Sequence, residues 1–349
     1  MAGVTYKCPN CGAYLTFDPD SQQWKCPFCS SAFPETELKG KAEAFQKEAD
    51  KEAEQSSGAQ VVYHCPSCGS EIMTDETTVA THCYYCHSPV VLQGKLTADM
   101  KPDEVLPFTI GKEKAIEEIT EWIRTRKFVP KKFFSKAQIQ EMSGVYYPHF
   151  VSECQTEGVL DGEATTSDVF DEGKYVVTNT RHYHVRREGR FVFKDILRPA
   201  LSKANRKLTE GVHPFPLEDA KPFSGAFLSG FLAERRDLEA DSYRQEIEQE
   251  LQGYMNSMLR DTASQYETCS ANTTAAVKKI KTKYVLLPTW VLTYPNKKNK
   301  DEPYYYVMNG CTGQVCGKLP VDMGRLWRHG LLAGLIVAAL YCVLAYFLF

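Results

Sequence analysis

Eight cysteines of this 349-residue chain fall into four C-x-x-C pairs: Cys8 with Cys11, Cys26 with Cys29, Cys65 with Cys68, and Cys83 with Cys86. In both CPNCGAYLTFDPDSQQWKCPFC (8–29) and CPSCGSEIMTDETTVATHCYYC (65–86) the two pairs stand 14 residues apart, and the second copy begins 57 positions after the first. A C-x-x-C turn offers two thiolates from one tight knuckle. A hairpin that brings a second knuckle alongside completes the four-sulfur tetrahedron that Zn²⁺ takes in structural sites, at about 2.3 Å from each sulfur. Chance rarely reproduces a spacing twice, so the pattern predicts two structural zinc ions, one held by Cys8, Cys11, Cys26 and Cys29 and the other by Cys65, Cys68, Cys83 and Cys86. Gly12 and Gly69, each following a second cysteine, supply the positive φ that such knuckles use.

Four thiolates leave no open position for a catalytic zinc. Rubredoxin-like iron takes the same donors and stays open as an alternative. A thioredoxin-like redox pair would need a βαβ unit beside it, which the sequence lacks. Each copy is too short to bury much apolar surface, and metal binding contributes on the order of 10 kcal/mol to folding in such segments.

Other residues weigh less. Arg181-His182-Tyr183-His184 puts two histidines on one face of a strand, but with no third ligand at matching spacing it reads as an exposed strand face. Cys311 and Cys316 flank a TGQV turn and read as free thiols. No G-x-S-x-G, H-E-x-x-H or phosphate-cradling glycine loop occurs, so neither an enzyme nor a small-molecule substrate is expected. A net charge of −3 and a pI near 6.3 give no basic excess, which disfavours nucleic acid as the partner.

The elements that must position the cysteines divide the chain into five parts. Residues 1–36 form ribbon one, 37–60 a charged linker, 61–94 ribbon two, 95–323 a core, and 324–349 a basic flank with an apolar tail. In the core, KEKAIEEITEWIRTRK (112–127) places Ala115, Ile116, Ile119, Trp122 and Ile123 on one helical face. Residues 243–260 do the same with Tyr243, Ile247, Leu251, Tyr254 and Met258. Strands are expected over VYYPHFV (145–151), over KYVVTNTRHYHV and RFVF around a turn near 187–189, and over 283–294, 304–309 and 314–320, the last three as a meander. Helices and strands do not alternate regularly, which favours α+β.

From Gly330 to Phe349 the chain runs 20 residues without a charge, enough for about 30 Å of helix and hence for one membrane-spanning segment. Arg325, Arg328 and His329 precede it, which predicts a cytosolic flank. The absence of a signal peptide and the metal-like use of cysteine agree with a cytoplasmic N-terminal bulk on the cell membrane. Gly330, Gly334 and Ala338 form a small-residue stripe on which such helices could associate.

The two ribbons, VYYPHF, LLPTW, PFSGAFLSGFLAERRDLEADSY (222–243), YYYVMNGCTGQVCGKLP and the apolar tail together resemble a family of membrane-linked double zinc-ribbon proteins from the phage-shock (PspA) operons of Bacillus-like bacteria. The resemblance implies a non-enzymatic adaptor of an envelope-stress system. Its implied cytosolic partners are SPFH or virion-core-like and PspA-like proteins. Cys311 and Cys316 depart from that pattern. The expectation is therefore an α+β chain with two small N-terminal zinc ribbons made of β-hairpin knuckles, a mixed core and one C-terminal transmembrane helix, acting as a membrane-tethered recruiter of proteins. The alternatives are a nucleic-acid- or transcription-linked zinc-ribbon protein and an iron redox protein.

Overall fold

The computed structural model describes residues 6–38, 62–64, 71–73, 78–82, 89–91, 100–130, 142–202, 204, 206–294, 304–317, 319 and 321–348. The 37–60 segment lies almost wholly outside them. Strands β1 (Thr16–Asp18), β2 (Gln23–Lys25) and β3 (Ala32–Phe33) make a small antiparallel sheet, and β4 (Val62–His64) pairs β5 (Glu71–Met73) in another. The remaining strands join one ten-stranded sheet. They are β6 (Thr78–His82), β7 (Pro89–Val91), β8 (Glu104–Val105), β9 (Ser143–Glu172), β10 (Tyr175–Pro199), β11 (Lys221–Pro222), β12 (Leu232–Glu234), β13 (Thr268–Tyr294), β14 (Tyr304–Asn309) and β15 (Val315–Gly317). The helices are α1 (Lys112–Arg124), α2 (Arg206–Glu210), α3 (Arg244–Asp261) and α4 (Met323–Leu348). The α+β class and the β13–β14–β15 meander are as the sequence predicts.

Three strands of 30, 25 and 27 residues, β9, β10 and β13, form a long antiparallel arm with β9 in the middle. Charge selects that order. Strand β9 carries seven acidic and no basic residues, β10 six basic and two acidic, and β13 four lysines and no acid. Cross-strand pairs follow, with Arg186 3.1 Å from Asp161, Arg190 3.1 Å from Glu157 and Lys278 3.6 Å from Glu157. Each exposed pair is worth less than about 1 kcal/mol. Their common sign nevertheless makes any arrangement with β10 against β13 repulsive.

The arm's other face packs on α3. Leu259 and Ala263 cluster with Leu160, Ala164 and Val185, while Ile247 and Leu251 cluster with Cys154. A Cβ on Gly158 would come within 2.8 Å of Leu259 Cδ1, so the missing side chain admits the helix. The buried row is Ile247, Leu251, Met255 and Leu259, whereas Tyr254 and Met258 are exposed. The predicted face is therefore rotated, because the strict four-residue row is the one that meets the glycine gap. The turn expected near 187–189 is corrected too. Glu188 pairs Val159 and Gly189 pairs Gly158 within an uninterrupted β10, and the reversal comes at Gly173, whose φ of +65° a tight hairpin needs. His182 and His184 lie on an exposed strand face, as expected.

Ribbon one packs on the core: its Tyr6, Leu15, Phe17 and Trp24 belong to the same buried cluster as Phe108, Phe227 and Trp290. The membrane-spanning tail expected over 330–349 is also corrected: among the described residues no helix is long and apolar enough to cross a membrane. Helix α4 begins at Met323, so its first two turns carry Arg325, Arg328 and His329 and are tied to the core, with Arg325 donating to Val129 O at 3.2 Å.

His149 on β9 is buried, with Nδ1 3.2 Å from Tyr147 O and Nε2 without a hydrogen-bond partner among the described residues. Burial, aided by nearby His213, pushes its pKa down from 6.5 to about 4, against the opposing pull of the Tyr147 carbonyl. The unfolded chain then holds a proton between these values that the folded chain does not. Stability therefore rises with pH across that window and is lost on acidification from about 6.5 to about 4, by up to about 3 kcal/mol. Denaturant unfolding at a series of pH values should show this slope, and His149→Phe should flatten it.

Candidate metal centre

Two matching knuckles build the site. In the first, the Gly12 amide donates to Cys8 O at 2.9 Å and the Cys8 amide to Ala13 O at 2.7 Å. In the second, the Ser30 amide donates to Cys26 O at 3.0 Å and the Cys26 amide to Ser31 O at 2.8 Å. Gly12 has φ +74°, as expected, and Ser30 takes the equivalent left-handed position at φ +58°. The β1–β2 hairpin, registered Thr16↔Lys25 to Asp18↔Gln23, sets the knuckles side by side.

The four sulfurs of Cys8, Cys11, Cys26 and Cys29 all lie within 4.8 Å of one another, close enough to hold one metal ion. Individual separations are 3.5 Å for Cys8–Cys29, 3.4 Å for Cys11–Cys26 and 3.7 Å for Cys11–Cys29. A tetrahedron with metal–sulfur bonds of about 2.3 Å has edges of about 3.8 Å, so the donors fit a tetrahedral thiolate centre with little adjustment. Cys8 and Cys26 are buried and Cys11 and Cys29 exposed, which gives the centre one inner and one outer edge. The Ser31 hydroxyl, 3.3 Å from Cys29 Sγ, and then the Ser31 amide draw the Cys29 thiol down to about 6. At Cys11 the Ala13 amide favours the thiolate, but the Cys26 sulfur, desolvation and the Cys8 and Cys29 sulfurs outweigh it and push the thiol up to about 12. Metal-free, the cluster therefore gives up its protons unevenly. A dication would displace them together.

Cys65, Cys68, Cys83 and Cys86 lie outside the described residues. The strands flanking them show how the second copy differs: among the described residues β4 and β5 pair only with each other, whereas β6 and β7 enter the large sheet through Ala80↔Ala233 of β12. Cys311 and Cys316 are separate from the metal cluster, half-buried beside Val212 and Phe215, and burial pushes the Cys311 thiol up to about 12.

Ribbon one is fastened to the core beneath the four cysteines. Trp24 is fully buried among Tyr6, Phe17 and Phe227, with ring centroids 5.1–5.4 Å away, and its Nε1 donates to Ala226 O at 3.0 Å. The Phe17 amide donates to Ser229 O at 3.0 Å, and Gln22 Nε2 donates to Phe108 O at 2.7 Å. At the start of α1 the Gly111 amide donates to Asp20 Oδ1 at 3.2 Å, so a ribbon carboxylate sits at the positive end of a core helix. Within its own ribbon Trp24 packs on Tyr6 and Phe17. Its partners Ala226, Phe227 and Ser229 come from PFSGAFLSG, where nothing in the sequence marks a ribbon contact. Ser31, two residues past the last cysteine, was legible only as a polar residue.

The chain is similar to the "Uncharacterized protein YdjG" of Bacillus subtilis (strain 168), with 28% identity over 338 residues that cover 96% of each protein. The likeness thus extends along nearly the whole length. That name supplies no ligand, partner or activity. No protein-family model matches the sequence, and no solved structure does.

Cys11→Ser and Cys29→Ser should each lower the metal content of purified protein by one ion per chain, read by elemental analysis. Trp24→Ala should lower the unfolding free energy by about 3–5 kcal/mol. Denaturant titration of the metal-loaded protein measures it.

Proposed function

We propose that this chain is a non-enzymatic zinc-ribbon adaptor that recruits cytosolic proteins. The observation that carries the reading is the closed shell of Cys8, Cys11, Cys26 and Cys29: four sulfurs at tetrahedral spacing saturate a metal and leave it no position for a substrate or water. Such a metal shapes a surface. On that surface Phe28, inside the second knuckle, is 75% exposed between Pro27 and Cys29, where an aromatic anchor would meet a partner. Zinc is the ion we propose, as the usual occupant of closed structural four-thiolate sites; iron takes the same donors and would betray itself by visible colour. The partners implied by the family resemblance are PspA-like and SPFH-type proteins of an envelope-stress system, and these are the first to test.

Purified PspA-like and SPFH-type proteins should be retained by the immobilised full chain and lost with Cys8→Ser. Phe28→Ala, which removes an exposed ring without touching a ligand, should weaken retention while leaving metal content and melting temperature unchanged. Equal retention by Phe28→Ala would remove the knuckle from the interface. Retention by neither purified protein would overturn the stress-system assignment.

A further inference from the structure

We propose that the outer edge of β10, from Tyr175 to Phe193, takes up an acidic extended segment of a partner protein by strand addition. Among the described residues β10 pairs with β9 alone, so along this stretch alternate N–H and C=O groups point away from the sheet. The edge runs about 65 Å at about 3.4 Å per residue. Strand ends elsewhere in the sheet are short or bulged, and here the irregularity comes only at Phe193/Ile196, where the arm meets the core. An unprotected edge of that length is a template for another strand.

The charge order of the arm says which strand. Its sheet alternates basic β10, acidic β9 and basic β13, each neighbour compensating the last. Continuing outward from β10, the complementary neighbour is acidic. On the face turned away from α3, β10 presents His184, Arg186, Arg190 and Lys194, with Glu188 the one acid among them. A second copy of β10 would set basic residues against basic ones, so this edge repels its own kind. On the same face Val176 is 69% exposed and Val192 56% exposed, which gives an added strand apolar contacts on either side of Arg186 and Arg190. The free edge of β13 is also basic, but Ser270, Asn272, Thr274 and Ala276 offer it no comparable apolar side chain. Main-chain hydrogen bonds would supply affinity, and acidic residues at alternate positions, all on the face of Arg186, Arg190 and Lys194, would supply register. None of these residues belongs to ribbon one, so this grip is independent of the metal centre.

The test uses the full chain and a fluorescein-labelled dodecapeptide of alternating valine and glutamate. Fluorescence anisotropy should show saturable binding, and hydrogen exchange should slow at β10 amides between Tyr175 and Phe193. A peptide of the same sequence N-methylated at alternate residues, which keeps the charge and removes one edge of donors, should bind at least about tenfold more weakly, as should a valine–lysine peptide. Arg190→Gln with Lys194→Gln should weaken the acidic peptide severalfold with little change in melting temperature, and Phe28→Ala should leave it unchanged. Absence of saturable binding, equal binding of the N-methylated peptide, protection confined to β13, or unchanged affinity of the double variant would each overturn the proposal. Any of these would leave the ribbon reading standing.

Discussion

The seam around Trp24 is the contact on which the organisation of the N-terminal half depends. Its indole is held on one side by the aromatic residues of its own ribbon and on the other by Phe227, and its N–H is satisfied only by a core carbonyl, Ala226 O. A hairpin of this size has little apolar surface of its own. Placing one large ring at the boundary lets the ribbon borrow the core's interior, and lets the core use Asp20 at the start of α1. The metal centre is therefore held in a fixed place, with one edge buried and one facing solvent.

A second constraint governs the arm. Long antiparallel strands tolerate slips in register unless one face is buried or the side chains discriminate. Here both devices operate. Gly158 opens a gap into which Leu259 of α3 packs, and seven acids on β9 stand between two strands that are mainly basic. The same segregation that orders three strands leaves the outer edge of β10 mainly basic, so the arm's stability and the strand addition proposed for it share one physical origin.

Much of the metal site could be read directly. The C-x-x-C spacing named the four ligands that converge and the left-handed glycine after Cys11, because a knuckle is closed by hydrogen bonds within six residues. Helix α1 was legible with its buried Ala115 and Ile119, as was the final meander. The face of α3 was not, since Tyr254 and Leu259 are both apolar and only the glycine gap on the opposing strand chooses between them. The turn near Gly189 was misread for a related reason. A glycine in a strand marks a turn or a close approach of another element, and the φ that separates the two is not written in the residue type.

Local chemistry, then, was determined by sequence alone: which cysteines can share an ion, which runs are helical, and that the class is α+β. Those properties arise from residues a few positions apart, where chain geometry leaves few choices. Tertiary structure alone decided that ribbon one is seated on the core, that half of the second repeat adds to the large sheet, that the tail helix starts among core contacts, and that β9 lies between β10 and β13. Each of these depends on groups tens to hundreds of positions apart, such as Trp24 with Ala226 or Lys278 with Glu157, and no local pattern specifies such a pairing.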